Sequence, residues 1–569
     1  MQLTEIIIKN FRGIEHLTID LDELCVLIGE NNAGKSTVLD AVKIALTRSL
    51  SRTGSAFSMY DYHLPNKDAD PTDVDPLEVT LTFSERKEDE WPDEVSQLLD
   101  KAEQVGDGGL RSVTFRVKSH FDNDLGSFET TYDFLNLSGS VLTQAAGPRY
   151  VANLRRLVPT FYLSSLRDAS NEFRQNSIFW GPFVKSISVT DDERKELEAA
   201  LSAVNLEVLS KHEAFAAVIE KLKNTAQIMP LGTGDPVSIE AIPSRLVDIL
   251  SKAQINLSSK SGAHIPIVNH GSGTQSLAVI SLFEAFLETQ LRNKYDTASE
   301  PILALEEPEA HLHPSAIMAV GKQLRNLSGQ KIISTHSGDL LSSVSLSSIR
   351  RLRRTDNKVT VHKVEDGVLT PDETSKLDYQ IRKTRGRLLF SRCWLLVEGE
   401  TEAPFLNECA FIGGNDLFAE GVSCIEFAQI GVEKLIKLAD QLGIEWFVLS
   451  DNDPEGIKYN ATAKAMLSGR DEAKHIRLLD HGHMEVFLGM EGLGEPYKNS
   501  ISPQKAENIT AAEGTIEYWE QVCKAQASKT KIINSRKVLD LISVGGASAV
   551  PTLLRDVIQQ SMNLAREAS

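Results

Sequence analysis

The chain has 569 residues, of which 41% are hydrophobic and 24% charged, as expected for a folded globular protein of two or three domains. Its net charge of −19 argues against a protein that coats nucleic acid by bulk electrostatics. Acids grouped around metal ions add to that negative count, and local basic patches can still guide a phosphate backbone. Composition therefore leaves DNA open as a substrate.

Targeting and redox signals are absent from the sequence pattern. No apolar run reaches the roughly 18 residues that a membrane span needs. The N-terminal run 1–14 alternates like an edge strand and lacks the basic and apolar regions of a signal peptide. The five cysteines are scattered with no C-x-x-C pair, which disfavours structural zinc and disulfides. We therefore expect a cytoplasmic protein with reduced thiols and no membrane partner.

The first motif is a glycine-rich loop between a strand and a helix. The apolar run 24–28 leads into Gly-Glu-Asn-Asn-Ala-Gly-Lys-Ser-Thr at 29–37, and a helical pattern follows. Such a loop turns its backbone N–H groups toward phosphate oxygens, while its lysine reaches the β- and γ-phosphates and its serine ligates Mg²⁺. The residues expected to bind ATP and its Mg²⁺ here are Gly29, Asn32, Gly34, Lys35, Ser36 and Thr37.

Two adjacent acids supply the carboxylates that the glycine-rich loop lacks. The apolar strand predicted at 301–305 ends in Glu306 and Glu307. We expect Glu306 to hold Mg²⁺ through water and Glu307 to orient or deprotonate the attacking water. Another predicted strand, 331–335, runs into His336, a candidate contact for the γ-phosphate.

Residues 269–276, Asn-His-Gly-Ser-Gly-Thr-Gln-Ser, open an apolar helix. Small residues at a helix start can bind an anion, although a simple helix cap is the alternative. The segment resembles the signature loop of ABC ATPases, with Ser272, Gly273 and Gln275 in the expected roles. That resemblance implies ATP sandwiched in a dimer, and Lys9-Asn-Phe-Arg-Gly13 resembles the opening strand of the RecF-like and SMC-like branch.

The segment between the glycine-rich loop and the signature is helix-rich at 191–225 but has no sustained heptads, so a long coiled-coil arm is not expected. We expect an ABC-type ATPase domain at 1–375 with a helical insertion at about 185–260 that serves homodimerisation. An exposed helical pair with no partner is the alternative. Asp61 and His63 could approach the nucleotide, but their spacing assigns them no role.

The domain boundary is predicted near 375–390, between a basic, loop-like stretch at 350–354 and a helix that ends at 388–390, and a basic cluster lies there. Its members are Arg382, Lys383, Arg385 and Arg387. They form either a solvated helix face or part of a DNA path. A second α/β domain with a parallel sheet is expected at 376–569.

Acidic residues follow two predicted strands of this second domain. Glu398 ends the apolar run 393–397, and Asp451 and Asp453 follow the run 446–450. The carboxyl ends of neighbouring parallel strands are where α/β sites form, and positions i and i+2 of a strand point to one side. Clustered carboxylates repel unless cations neutralise them, and oxygen-only ligands favour Mg²⁺, Mn²⁺ or Ca²⁺ over zinc.

The order strand-Glu-Gly, helix, strand-Asp-x-Asp resembles the Toprim domain of topoisomerases, primases and some nucleases. Glu402 lies about one helical turn beyond Glu398, and Glu485 follows the predicted strand 475–479. These extra acids suit a second metal, and hence two-metal hydrolysis of a phosphodiester.

With an ABC ATPase first and a Toprim domain last, the chain resembles the OLD (overcoming lysogenization defect) family, which includes the nuclease subunit of the Gabija anti-phage system. The resemblance is specific at 29–37, 306–314, 334–337, 397–402 and 451–453, and vague at 51–265 and after 490. It implies a catalytic lysine near the C-terminus. The usual Lys-Pro context is missing here, so Lys537 is the first candidate and Lys531 the second.

These patterns predict an ATP-binding, divalent-metal-dependent endonuclease of double-stranded DNA, acting in anti-phage defence or DNA processing. Its expected catalytic residues are Glu307, Glu398, Asp451, Asp453 and Lys537. Its expected metal ligands are Ser36, Glu306, Glu398, Glu402, Asp451, Asp453 and Glu485. A partner protein encoded nearby is compatible with this prediction.

Two other classes compete with this prediction. A topoisomerase or primase has little room for its other modules, and the cysteines supply no zinc module. An ATP-driven clamp or scaffold would bind DNA without cutting it.

Overall fold

The computed structural model describes residues 1–47, 56–106, 108–164, 264–291, 297–356, 358–526 and 528–568, with shorter stretches between 172 and 295. The expected insertion at 185–260 is described in part, and its residues 212–217 and 222–239 lie outside the described residues.

The described strands, in chain order, are β1 (Gln2–Phe11), β2 (Ile14–Asp20), β3 (Leu24–Ile28), β4 (Leu77–Ser84), β5 (Gln104–Val105), β6 (Arg111–Asp122), β7 (Ser127–Leu135), β8 (Thr160–Leu163), β9 (Asn256–Ser258), β10 (His264–Pro266), β11 (Ile302–Glu306), β12 (Gln330–Ser334), β13 (Ile349–Thr355), β14 (Lys358–His362), β15 (Cys393–Val397), β16 (Val422–Glu426), β17 (Glu445–Ser450) and β18 (Ile476–Leu478).

The described α-helices, in chain order, are α1 (Lys35–Thr47), α2 (Asp93–Leu99), α3 (Pro148–Leu157), α4 (Trp180–Lys185), α5 (Asp191–Ser210), α6 (Leu246–Leu250), α7 (Ser272–Thr289), α8 (Pro314–Asn326), α9 (Gly338–Leu341), α10 (Pro371–Lys383), α11 (Glu402–Ile412), α12 (Val432–Gln441), α13 (Pro454–Ala465), α14 (Glu472–His475), α15 (Met484–Leu488), α16 (Glu495–Lys498), α17 (Pro503–Ala506), α18 (Ile516–Ala525), α19 (Ser528–Gly545) and α20 (Thr552–Glu567).

Two large sheets build the first half of the chain. One is antiparallel, in the order β2-β1-β4-β6-β5 with β7 also paired to β6. The other has the order β14-β13-β3-β12-β11-β8, and all its neighbours are parallel except β13 and β14. Helix α1 packs between the two sheets, so apolar residues such as Val38 and Val42 are fully buried.

The N-terminal strand corrects one expectation. β1 pairs with β2 on one side and with β4 on the other, so it lies inside its sheet and is not an edge strand. One face of β1 carries the fully buried Leu3, Ile6 and Ile8, while the opposite face is more polar. An alternating pattern indicates a strand with one buried face, and it does not indicate how many strands pair with it.

The second half is built on the four-stranded parallel sheet β16-β15-β17-β18. Its two central strands, β15 and β17, are nearly continuous apolar runs because helices cover both faces of a parallel sheet. Trp394 and Trp446 are fully buried on one face, and Leu395 and Phe447 pack on the other. The predicted α/β class with a parallel C-terminal sheet is confirmed.

Among the described residues, no single helix is long and apolar enough to cross a membrane. Only the pair Ile532–Ala549 and Thr552–Glu567, bent by 73°, passes that test jointly, by length and composition.

Candidate functional site

The glycine-rich loop connects β3 to α1 in a conformation that its glycines make possible. Gly29 and Gly34 have φ of 145° and 102°, and Asn32 has φ of 67°. A Cβ at Gly29 would lie 2.3 Å from the carbonyl oxygen of Leu352 on the neighbouring strand β13, so that no larger residue fits. Ser36 and Thr37 follow in the first turn of α1, where backbone N–H groups have no helical partner.

Lys35 is buried in this loop and holds it together. Its Nζ donates to the carbonyl oxygens of Gly29 at 2.9 Å and Glu30 at 2.8 Å. Burial lowers the pKa of Lys35 to about 8, although Glu307 and Glu30 oppose that shift. A bound phosphate would add negative charge beside the ammonium and restore its proton affinity.

The strands that carry the two acids and the histidine end side by side. In register, Glu306 lies opposite Ser334, and Ser334 lies opposite Leu27 of the loop strand. Glu306 Oε1 accepts a hydrogen bond of 2.5 Å from the Ser36 hydroxyl. The loop serine and the strand-end acid, 270 residues apart in sequence, are thus in direct contact.

Glu307 and His336 lie next to this pair. His336 Nε2 is 3.8 Å from Glu307 Oε1, and both side chains are partly exposed. Burial and the nearby Lys35 lower the pKa of His336, which favours the neutral ring at neutral pH.

Two residues at this edge were not predicted from sequence. Tyr162 of β8 donates a 2.7 Å hydrogen bond to Glu306 Oε2. The buried Glu309 accepts from the Thr335 hydroxyl at 2.5 Å and from the His336 backbone N–H at 3.1 Å. Glu309 belongs to the Glu-Glu-Pro-Glu run and so carried a signal, whereas a lone tyrosine in a short strand carried none.

Asp61 does have a structural task. Arg12 donates from Nε to Asp61 Oδ1 at 2.8 Å and from a terminal nitrogen to Asp40 Oδ2 at 2.5 Å. His63 Nδ1 lies 2.8 Å from the Arg12 carbonyl oxygen. This network fixes the turn after β1 against helix α1, which carries Ser36.

The signature residues open helix α7. A Cβ at Gly273 would lie 2.8 Å from the His311 carbonyl oxygen, so the loop after β11 lies directly against this position. Gln275 Nε2 donates to Val268 O at 3.0 Å and His270 O at 2.7 Å, which ties its own loop together. Ser272 is exposed in the first turn of the helix.

In the second half, the predicted acids meet at the carboxyl edge of the parallel sheet. Glu398 follows β15 and Asp451 follows the adjacent strand β17, and the Asp451 backbone N–H lies 3.5 Å from Glu398 Oε2. Glu402 folds back from helix α11 so that its Oε2 accepts from the Glu398 N–H at 2.9 Å. Glu485, paired with His483 Nδ1 at 2.8 Å, adds its charge to those that act on Asp451.

These carboxylates perturb one another. Burial, followed by the charges of Glu402, Glu398 and other acids nearby, raises the pKa of Asp451 to about 9. Burial raises the pKa of Glu402 to about 7, with Glu398 contributing in the same direction. Burial also raises the pKa of Glu398. The edge therefore concentrates negative charge that only protons or cations can relieve.

The donor set consists of carboxylate oxygens and so fits Mg²⁺, Mn²⁺ or Ca²⁺. Within the described residues, no three His, Cys, Asp or Glu side chains are placed so that all could hold one ion. Asp453 Oδ1 accepts from the N–H groups of Glu455 and Gly456 at 3.0 and 2.8 Å, as the N-cap of helix α13. Only its second oxygen remains for another ligand.

The lysine candidates belong to helix α19, and the basic cluster lies at and just after the end of helix α10. Lys537 is exposed on helix α19, and the side chain of Lys531 lies outside the described residues. In the basic cluster, Lys383 pairs with Glu426, and Arg385 Nε is 3.9 Å from Asp339. Arg382 and Arg387 are exposed.

Strand β13, which flanks the glycine-rich loop, also contacts the second half. Arg351 donates to Leu442 O and Gly443 O at 2.9 Å and to Ser391 O at 3.0 Å. One further contact reaches the loop itself, because Arg392 Nε, just before β15, lies 3.4 Å from Glu30 Oε1. The two halves thus contact each other at residues that precede β15 and β17, at the sheet edge opposite the acids.

Two family models match the chain. Residues 1–387 match the family described as protein of unknown function (DUF2813). Residues 389–453 match the Toprim domain of overcoming lysogenization defect protein-like proteins, which confirms the resemblance expected from the motifs. That second match contains Glu398, Glu402, Asp451 and Asp453 and ends before Glu485.

Three curated relatives align over most of their length. The uncharacterized protein YbjD of Escherichia coli strain K12 is 29% identical over 100% of this chain and 99% of its own. The Old nuclease of Escherichia phage P2 is 24% identical over 80% of this chain and 77% of its own. The endonuclease GajA of Bacillus cereus strain VD045 is 23% identical over 80% of this chain and 75% of its own.

Proposed function

The chain belongs to the family described as protein of unknown function DUF2813 and carries an OLD-like Toprim domain, and from this premise we propose that it is an ATP-binding, divalent-metal-dependent DNA endonuclease. One observation carries the proposal: Glu398, Glu402 and Asp451 converge at the ends of two adjacent parallel strands. Two relatives with nuclease in their names support the same activity.

At the Toprim edge, Glu398, Glu402, Asp451, Asp453 and Glu485 would hold the divalent ions. Bound ions would lower the pKa of the attacking water and neutralise charge on the scissile phosphate. The residues themselves fix the arrangement: Glu402 is anchored on the Glu398 backbone, and Asp453 is anchored on the start of α13. Lys537 remains our candidate for stabilising the phosphate in the transition state.

At the nucleotide site, the loop 29–37 would bind the phosphates of ATP, and Ser36 with Glu306 would hold Mg²⁺. Glu307 would orient the attacking water, and His336 would contact the γ-phosphate. The hydrogen bond between Ser36 and Glu306 supports this assignment. Ser272, Gly273 and Gln275 would reach the nucleotide of a second copy, so we propose a homodimer or a higher oligomer.

We further propose that the ATPase domain spans 1–375, with a dimerising insertion at about 185–260, and that the nuclease domain spans 376–569. Double-stranded DNA is the proposed substrate. Anti-phage defence or DNA processing is the proposed role, with a partner protein encoded nearby as an added component.

A plasmid cleavage assay that crosses Mg²⁺, Mn²⁺ and Ca²⁺ with ATP tests the activity. Asp451→Asn should reduce cleavage at least about a hundredfold, because it removes one of the central acids at the edge. Lys35→Ala should weaken ATP binding and change only the response of cleavage to ATP. Asp471→Asn is the matched control, since Asn caps helix α14 as well as Asp does. Cleavage by Asp451→Asn at the wild-type rate would refute the metal site.

A DNA-binding clamp without cleavage is the second candidate. It is favoured by the finding that no three acids of the described chain are pre-arranged around one ion. ATP-dependent DNA binding with no cleavage under any of these ions would support the clamp.

A further inference from the structure

Glu306 is held at both carboxylate oxygens. Oε1 accepts from the Ser36 hydroxyl at 2.5 Å, and Oε2 accepts from the Tyr162 hydroxyl at 2.7 Å. The serine belongs to the loop helix α1 and the tyrosine to the sheet strand β8, so the carboxylate is oriented from two directions. Hydrogen bonds to a charged group are stronger than those between neutral groups.

The tyrosine is itself fixed in place. β8 pairs in parallel with β11, and Tyr162 lies opposite Ala304, two residues before Glu306. Lys43 Nζ lies 4.0 Å from the centroid of the Tyr162 ring. Lys43 and Ser36 both belong to helix α1, so α1 contacts both members of the pair: Ser36 binds Glu306 and Lys43 lies near the Tyr162 ring.

Glu306 has a longer side chain than aspartate, so more contacts are needed to hold its carboxylate in one orientation. P-loop ATPases commonly place an aspartate at this strand end to hold Mg²⁺, whereas this chain has glutamate. The extra methylene adds a rotatable bond, and orienting such a side chain costs conformational entropy. A hydroxyl fixed by the sheet removes that freedom before the metal arrives.

We infer that Tyr162 is a positioning residue of the nucleotide site, which orients Glu306 for Mg²⁺ and so makes Mg²⁺-dependent binding of ATP tighter. This inference rests on the proposed nucleotide site. It adds a residue from the edge strand of the sheet to a metal site otherwise built from the loop and from β11.

The test is Tyr162→Phe, which removes the hydroxyl and keeps the ring beside Lys43. Binding of a fluorescent ATP analogue is measured in a Mg²⁺ titration and again in EDTA. The Mg²⁺ concentration for half-maximal binding should rise about tenfold, as one lost hydrogen bond to a charged group predicts. Binding in EDTA should change less than about twofold.

Tyr62→Phe is the matched control. Its hydroxyl also makes a 2.7 Å hydrogen bond, to Ser119 of strand β6 in the antiparallel sheet. It should leave both titrations unchanged. In the double variant with Glu306→Gln, Tyr162→Phe should add little, because coupled residues are not additive.

The outcomes separate this inference from the proposed function. Equal losses with Mg²⁺ and in EDTA would show that Tyr162 only packs, and additive losses with Glu306→Gln would show that it does not act through Glu306. Either result, or a variant identical to the wild type, overturns the inference while Mg²⁺-dependent binding by the wild type still stands. No such binding by the wild type, or none lost in Lys35→Ala, overturns the nucleotide site itself.

Discussion

Asp451 is surrounded by more negative charge than a buried carboxylate tolerates. It is 9% exposed, and Glu402, Glu398, Asp453 and Glu485 all raise its pKa in addition to the effect of burial. Holding such acids together without a cation destabilises the fold. The proposed metal site and the stability of the fold therefore make opposite demands on this one side chain.

This conflict predicts a pH dependence of stability. The pKa of Asp451 is about 9 in the folded state and 3.8 in the ordinary state, so between these values the folded protein binds the extra proton. The free energy of unfolding should therefore fall as pH rises through this window. In EDTA, Asp451→Asn should be more stable than the wild type, with a gap that widens from pH 5 to pH 9.

Thermal unfolding in EDTA at pH 5, 7 and 9 measures that gap. A gain of about 1 kcal/mol corresponds to roughly 2–4 °C in a domain of 150 to 250 residues. Mg²⁺ should reverse the order of the two proteins, because the cation stabilises only the charged acid. Parallel pH profiles for variant and wild type would contradict the electrostatic account.

Helix α13 depends on one of the candidate ligands. Asp453 precedes Pro454 and caps the helix through two backbone N–H groups. The same side chain is thus a helix cap and a candidate metal ligand, and the two tasks use different properties. The cap needs only an acceptor oxygen, whereas a hard cation favours the full charge.

Two substitutions at this position separate the tasks. Asp453→Ala should cost about 1 kcal/mol of unfolding free energy, whereas Asp453→Asn should cost little because Asn caps equally well. Both should lose metal-dependent cleavage. Denaturant unfolding and the plasmid assay measure the two effects, and full activity in Asp453→Asn would exclude its charge from the reaction.

Elements predicted well from sequence are those whose signal is local. The loop 29–37, the strand ending at Glu306 and the strand ending at Asp451 each carry their whole pattern within about ten residues. Tyr162 and Glu306 are 144 residues apart, and neither short-range spacing nor periodicity links them. The neighbours of β1 were misjudged for the same reason, since alternation describes faces and not pairing.

At the scale of the whole molecule, a buried arginine of β13 joins the two halves. Arg351 is 4% exposed, and burial lowers its pKa to about 10, so it remains charged at neutral pH. Its hydrogen bonds reach three backbone carbonyls of the second half. The sequence predicts a basic, loop-like stretch at 350–354, whereas these residues lie in strand β13.

Replacing this residue should loosen the join. Arg351→Met keeps much of the apolar volume but leaves buried carbonyls without donors, at a cost of about 1–3 kcal/mol. Denaturant unfolding should then split into two transitions, one for each half. Arg116→Met is the control, because it removes an ion pair with Asp133 inside the antiparallel sheet. Its two unfolding transitions should be no further apart in denaturant concentration than those of the wild type.

The contact between Glu30 and Arg392 has a thermodynamic consequence. Glu30 belongs to the loop expected to hold phosphate, and Arg392 directly precedes strand β15, which Glu398 follows. Suppose that nucleotide binding at the loop changes the free energy of binding at the far sheet through this pair. Binding at the far sheet must then change the free energy of nucleotide binding by the same amount, because linkage between two equilibria is reciprocal. DNA or metal held at the far sheet would then change the affinity for nucleotide by the same factor that nucleotide changes theirs. In such an arrangement the loop is also a sensor, whose occupancy reports what the other half has bound.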